Sequence, residues 1–261
     1  MSVWLAAADT ETIPACCVPV SGPLARQLVS ACTRLGDTVI HISATDHQVI
    51  SAALSMGCRA TVTFSDSVQA GVVWTRLTRS HPEHDLQVAD LRVTRPERVG
   101  LVLTDLAGAA ALVVIEQTCT ADQPATARSF DVEPAGTLVK PGGYLAVITG
   151  LCHAKNGVVD PAPGIIARAR QVGLVYLQHI IALRLPARGE RIDPVISPCG
   201  VTVAQELRGW VGPSGRARVH SDLLLFAKPA SSAPAESRDQ QARFAAAQGD
   251  PSTTVRGEEE R

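Results

Sequence analysis

The stretch Ala135–Thr149 reads AGTLVKPGGYLAVIT, and its reading decides the architecture. An apolar turn at Leu138 and Val139 runs into Lys140, Pro141, Gly142 and Gly143, and Tyr144–Ile148 is then uninterrupted apolar sequence. Proline stops a helix, paired glycines permit a sharp turn, and a short uncharged run suits a strand covered on both faces. The stretch is a helix–turn–strand joint of an α/β protein.

The same alternation extends to either side. Leu24–Leu35 carries Leu24, Leu28, Val29, Ala31 and Cys32 at helical spacing and is closed by Gly36. Asp37–Ile42 is the first buried strand, and Val49–Met56 is a helix ended by Gly57. Arg59–Phe64, rich in β-branched residues, is the second strand. Ser65, Asp66 and Ser67 offer caps for the helix beyond it, and Leu86–Ala89 is the third strand. Val99–Thr104 and Ala111–Ile115 both have strand character, but a parallel crossover needs about a dozen residues. Only the second leaves that room. Pro96–Leu106 is therefore expected as helix and Ala111–Ile115 as the fourth strand. Tyr144–Thr149 is the fifth, Gly164–Val172 a helix, and Leu174–Leu185 the sixth. Ser221–Lys228 is a last strand placed to pair antiparallel with the sixth, and Val3–Ala7 suits a sheet edge.

These segments predict an open, mostly parallel, seven-stranded α/β sheet of Rossmann-like design, covered on both faces and finished by an antiparallel hairpin. Ligands on such sheets bind beyond the carboxyl ends of the strands, near the switch in strand order. Here that means the turns after Ile42, Phe64, Ala89 and Ile115.

The sheet needs residues 1–228, with 186–219 as an Arg-, Pro- and Gly-rich insertion. Residues 229–261 hold one aromatic, Phe244, and are expected to form a disordered tail. A net charge of -1 gives no global attraction to nucleic acid or to an anionic membrane. No apolar run approaches the ~20 residues needed to span a bilayer. The seven cysteines have no regular spacing, so they read as reduced cytosolic thiols, and no metal site is expected. No G-x-S-x-G occurs, and His153 and His179 read as structural.

The phrase LVKPGGYLAVI, the order of the motifs and the closing VHSDLLLF at Val219–Phe226 resemble the S-adenosylmethionine (SAM) dependent methyltransferases. Within that fold they are most similar to the DNA amino-methyltransferases, which act on N4 of cytosine or N6 of adenine. The resemblance implies SAM as cofactor and DNA as partner, and it assigns roles position by position. In that family a glycine-rich loop follows strand one and holds the methionine part of SAM. Here Ser43, Ala44, Thr45, Asp46 and His47 follow, with no glycine before Gly57. Asp46 reads first as a helix cap and second as a cofactor contact. The acid that holds the ribose hydroxyls falls to Asp66, which is also a cap candidate. The Asp that touches the adenine amino group falls to Asp90, with a turn role close behind. The catalytic Pro-Pro-aromatic turn after strand four is Glu116, Gln117, Thr118 and Cys119 here. Glu116 retains an acceptor for an amine, while the prolines and the base-stacking aromatic are gone.

The insertion offers Arg188, Arg191, Arg208, Arg216 and Arg218 with Trp210, a set suited to phosphate and base contact or to a solvated loop. The resulting expectation is a methyltransferase-like protein with eroded motifs, kept as a binding or regulatory relative. The alternatives are an active SAM-dependent methyltransferase with a divergent site and an unrelated nucleotide-dependent α/β enzyme.

Overall fold

The computed structural model describes residues 2–5, 20–44, 46–117, 132–149, 152–154, 157–183, 187–188, 191–192 and 220–230. The chain divides into two units, Met1–Pro229 and Ala230–Arg261. Beyond Ala230 the tail lies outside the described residues.

The first unit is built on an eight-stranded sheet. Its strands are β1 (Ser2–Leu5), β2 (Thr38–Ile42), β3 (Arg59–Phe64), β4 (Ala89–Val93), β5 (Ala110–Glu116), β6 (Val139–Thr149), β9 (Val175–Leu183) and β12 (His220–Ala227). They lie in the order β1-β9-β12-β6-β5-β2-β3-β4. All neighbours are parallel except β12, which runs antiparallel to both β9 and β6. The seven expected strands are present, and the N-terminal segment adds an eighth at one edge. Two small antiparallel pairs stand apart, β7 (Cys152–Ala154) with β8 (Gly157–Val159) and β10 (Ala187–Arg188) with β11 (Arg191–Ile192).

Alternation along each buried strand separates two cores. On one face Val39, Val62, Val114 and Ile148 pack under α1 (Gly22–Cys32), α2 (Gln48–Ser55) and α3 (Ser67–Ser80). On the other, Ile40, Val113, Leu145 and Phe226 pack under a second set of helices. These include α5 (Val99–Val102), α6 (Val132–Leu138) and α7 (Ala162–Gln171). A four-residue helix, α4 (Glu83–Leu86), precedes β4.

Three local differences from the sequence reading have physical causes. The third strand is Ala89–Val93 rather than Leu86–Ala89, because Leu86 ends α4 and packs into the first core. Pro96–Leu106 is helical but broken, a 3-10 turn at Pro96–Arg98, then α5, then a second 3-10 turn at Thr104–Leu106. Strand β6 starts at Val139 and carries the Lys140–Gly143 turn inside it. Opposite Ala110–Leu112, β6 advances from Val139 to Tyr144, so those four residues form a wide bulge. Gly142 takes φ 77 there. At Gly143 a Cβ would lie 2.9 Å from the Ala110 carbonyl oxygen and 3.0 Å from that of Ala111, so only glycine fits without a shift. Lys228 seals the joint, its Nζ donating to the carbonyls of Gly136 (3.1 Å) and Val139 (2.8 Å) at the end of α6.

Candidate functional site

Strands β2 and β5 are neighbours, and the connections from them depart in opposite directions along the sheet. Their carboxyl ends mark the switch point where open α/β sheets bind ligands. His41, one residue from the end of β2, and Glu116, the last residue of β5, meet there. Both face the α1–α3 side. His41 Nε2 lies 2.9 Å from Glu116 Oε1, with the two side chains 1% and 0% exposed. The two atoms are in contact, but their geometry is not that of a hydrogen bond. His41 Nδ1 is buried with no hydrogen-bond partner among the described residues.

Asp46 joins this pair from the turn that enters α2. Its Oδ1 accepts from the Gln48 backbone N–H at 2.9 Å, the bond that satisfies the first turn of the helix. Its Oδ2 is buried without a hydrogen-bond partner among the described residues. Burial, and then the negative charge of Glu116, push its carboxyl up to about 7, against the weaker pull of the Gln48 N–H, His41 and Arg76.

The backbone of the same turn is held to β3. Ser43 N–H donates to Thr63 Oγ1 and Ala44 N–H to the Thr63 carbonyl, each at 3.0 Å. Ser43 has φ 55, the one non-glycine in the left-handed region among the described residues. The serine thus adopts a backbone form that glycine takes without cost.

The other assigned residues lie apart. Asp66 is the N-cap of α3, its Oδ1 accepting from Val68 N–H at 3.0 Å. Asp90 is the second residue of β4 and pairs with Thr61 of β3, so it lies inside the edge strand and not beyond it. Arg92 Nε donates to Asp90 Oδ2 at 2.8 Å, and the same guanidinium holds Asp105. The structure therefore unites Asp46 and Glu116 and leaves Asp66 and Asp90 in separate local roles. His41 was missed by sequence reasoning. Its signal was a lone titratable residue inside the buried run TVIHI, beside a strand that ends in Glu.

Beyond β5, Gln117 N–H donates to the Ile148 carbonyl at 2.8 Å, while Thr118 and Cys119 lie outside the described residues. In the insertion, Arg188 and Arg191 are paired residues of β10 and β11. Arg208, Trp210, Arg216 and Arg218 lie outside the described residues, as do the side chains of Cys152 and His153. Among the described residues no group of His, Cys, Asp and Glu is placed to hold a metal ion, and no helix is long and apolar enough to cross a membrane.

No protein-family model matches the sequence, and no curated protein does. Solved structures do. A putative sarcosine dimethylglycine methyltransferase from Galdieria sulphuraria aligns at TM-score 0.50 and 11% identity, over 78% of this chain and 82% of that one. The 1,6-didemethyltoxoflavin-N1-methyltransferase of Burkholderia thailandensis, solved with 1,6-didemethyltoxoflavin and S-adenosylhomocysteine, aligns at 0.50 and 11%, over 80% and 78%. TrmN from Thermus thermophilus aligns at 0.49 and 12%, over 80% of this chain and 49% of that one, so the chain spans about half the length of TrmN. The fold is that of the class I methyltransferases. At these identities the likeness concerns the fold and leaves the chemistry to the residues described above.

Proposed function

We propose that this chain is a methyltransferase-fold protein that no longer transfers methyl groups and serves as a binding or regulatory relative of the DNA amino-methyltransferases. One observation carries the reading. At the switch point, where that family keeps a glycine turn open to SAM, Asp46 is folded inward against Glu116 and His41, with one carboxyl oxygen spent on α2. The other two acids assigned to the cofactor are also committed, Asp66 to capping α3 and Asp90 to Arg92. The residues present do not fit SAM in the manner the resemblance implies.

DNA, met through the Arg-rich insertion 186–219, is the proposed partner. The buried free thiols of Cys32 and Cys58 accord with a cytosolic location.

The left-handed backbone at Ser43 favours the second reading, an active methyltransferase on a divergent site, because one residue of the turn keeps a conformation that glycine adopts most easily. Calorimetric titration with SAM and S-adenosylhomocysteine, paired with methyl-label transfer to duplex DNA, separates the two. The proposal expects no transfer, together with a DNA gel shift that weakens steeply with salt. Transfer above background that disappears in Glu116→Gln overturns it in favour of the second reading.

A further inference from the structure

A serine, a histidine and a carboxylate converge away from the strand mouth. Ser51 lies in the second turn of α2, His81 caps the C-terminus of α3, and Asp85 belongs to α4. Ser51 Oγ and His81 Nε2 are 2.8 Å apart. Across the ring, His81 Nδ1 lies 3.7 Å from Asp85 Oδ2. At that distance no hydrogen bond joins them, but the charge of the carboxylate favours a proton on Nδ1, the tautomer in which the Nε2 lone pair accepts from the hydroxyl. These are the relations that activate a serine, and they are recognised by geometry and role, not by sequence position.

Five other helical hydroxyls behave differently. Ser30, Thr75, Thr78, Ser80 and Thr104 all donate back to a carbonyl three or four residues earlier, the usual fate of a hydroxyl on a helix. Ser51 is turned to the imidazole. The imidazole is held, with its side chain 5% exposed, whereas Ser51 is half-buried and within reach of solvent.

His47 supplies a second observation. It precedes Ser51 by one helical turn and so shares its face. Its Nδ1 is buried without a hydrogen-bond partner among the described residues. Burial, Arg76 and His81 each depress its pKa below the usual value, so the ring is neutral near pH 7. With its proton on Nδ1 the neutral ring offers a donor on the Ser51 face, and the Arg76 guanidinium acts on the same ring; a donor and a positive charge stabilise negative charge that develops there.

We propose that Ser51 is an activated nucleophile that takes acyl or phosphonyl groups from small ester-type electrophiles, with His81 as its base. Asp85 is a positioning residue. Ser51 Oγ bonds to the ester carbonyl carbon as its proton passes to His81 Nε2. The carbon–alkoxide bond then breaks, and the alkoxide leaves as an alcohol carrying that proton. Water reverses the sequence, releasing the carboxylic acid and restoring the Ser51 hydroxyl. A fluorophosphonate stops at the first stage, since an O–P bond forms, the P–F bond breaks and fluoride departs. The proposal is independent of the reading of the strand mouth.

The test treats the full chain with a fluorophosphonate, follows intact mass, and maps the adduct by peptide sequencing. A single adduct on Ser51 is expected, absent from Ser51→Ala. His81→Gln should slow labelling about 100-fold or more. Asp85→Ala should slow it, and Asp85→Glu should restore most of the rate, which a purely structural role would not require. Because the adduct is mapped on the unaltered protein, the result does not depend on any variant folding. No adduct, or an adduct at another residue, overturns the proposal.

Discussion

Replacing Asp46 by Asn tests the electrostatics of the switch point directly. Asn keeps an oxygen for the Gln48 N–H and removes the charge that faces Glu116. In the unfolded chain the Asp46 carboxyl titrates near 3.8, and in the fold it is raised to about 7. Between those values the folded state holds a proton that the unfolded state has released. The group's contribution to stability is therefore full below 3.8 and is lost as pH rises through about 7. At ~1.4 kcal/mol per pH unit the full loss is on the order of 4 kcal/mol. Asn carries no such dependence. Urea unfolding of both proteins at pH 5, 6, 7 and 8 gives the contrast. At pH 5 the Asn variant should already lead by about 1–2 kcal/mol, and by pH 8 the gap should have widened by about a further 2–3 kcal/mol. His47, depressed in the fold, stabilises in the opposite sense as pH rises, but it is common to both proteins and cancels. A stability difference that stays constant from pH 5 to 8 would refute the buried, charge-opposed placement of Asp46.

Three further outcomes follow from local geometry. Gly143→Ala drives a methyl against three backbone carbonyl oxygens and should cost about 1–3 kcal/mol by chemical denaturation. Ser43→Gly relieves a left-handed serine and should be neutral or stabilising by up to about 1 kcal/mol, whereas Ser43→Val should destabilise by more than that. Asp66→Ala removes the cap of α3 and should cost about 1 kcal/mol in thermal or urea unfolding, with no change in calorimetric heats with SAM.

The buried strands could be read from the sequence because their composition records burial on both faces. Strand β3 runs Arg59–Phe64 as expected, and β2 lacks only Asp37. Crossover length separated the helical turns at Pro96–Leu106 from β5. Strand β4 was misplaced because it is an edge, where Asp90 and Arg92 alternate with apolar residues and resemble a polar turn. The bulge in β6 was invisible because proline and glycine announce a break, while here the pairing resumes on both sides. At the site, Glu116 and Asp46 could be found by counting strands. His41 could not, because its partner is fixed by which strands become neighbours. The Ser51–His81–Asp85 arrangement was hidden for the same reason, since two helices and a capping residue bring it together.

Strand β12 is the last strand to be made among the described residues, yet it lies between β6 and β9, with Lys228 just beyond its end bonded to carbonyls of α6 and of the start of β6. During synthesis the β6 edge stays open until β12 arrives, and β9 with β1 has no seat beside it. The growing chain passes through a stage with two unjoined parts and an apolar seam between them, a form prone to aggregate. Completion waits on contacts distant in sequence, which slow assembly, so a chain cut before residue 220 should collect as insoluble material and not as a smaller folded protein.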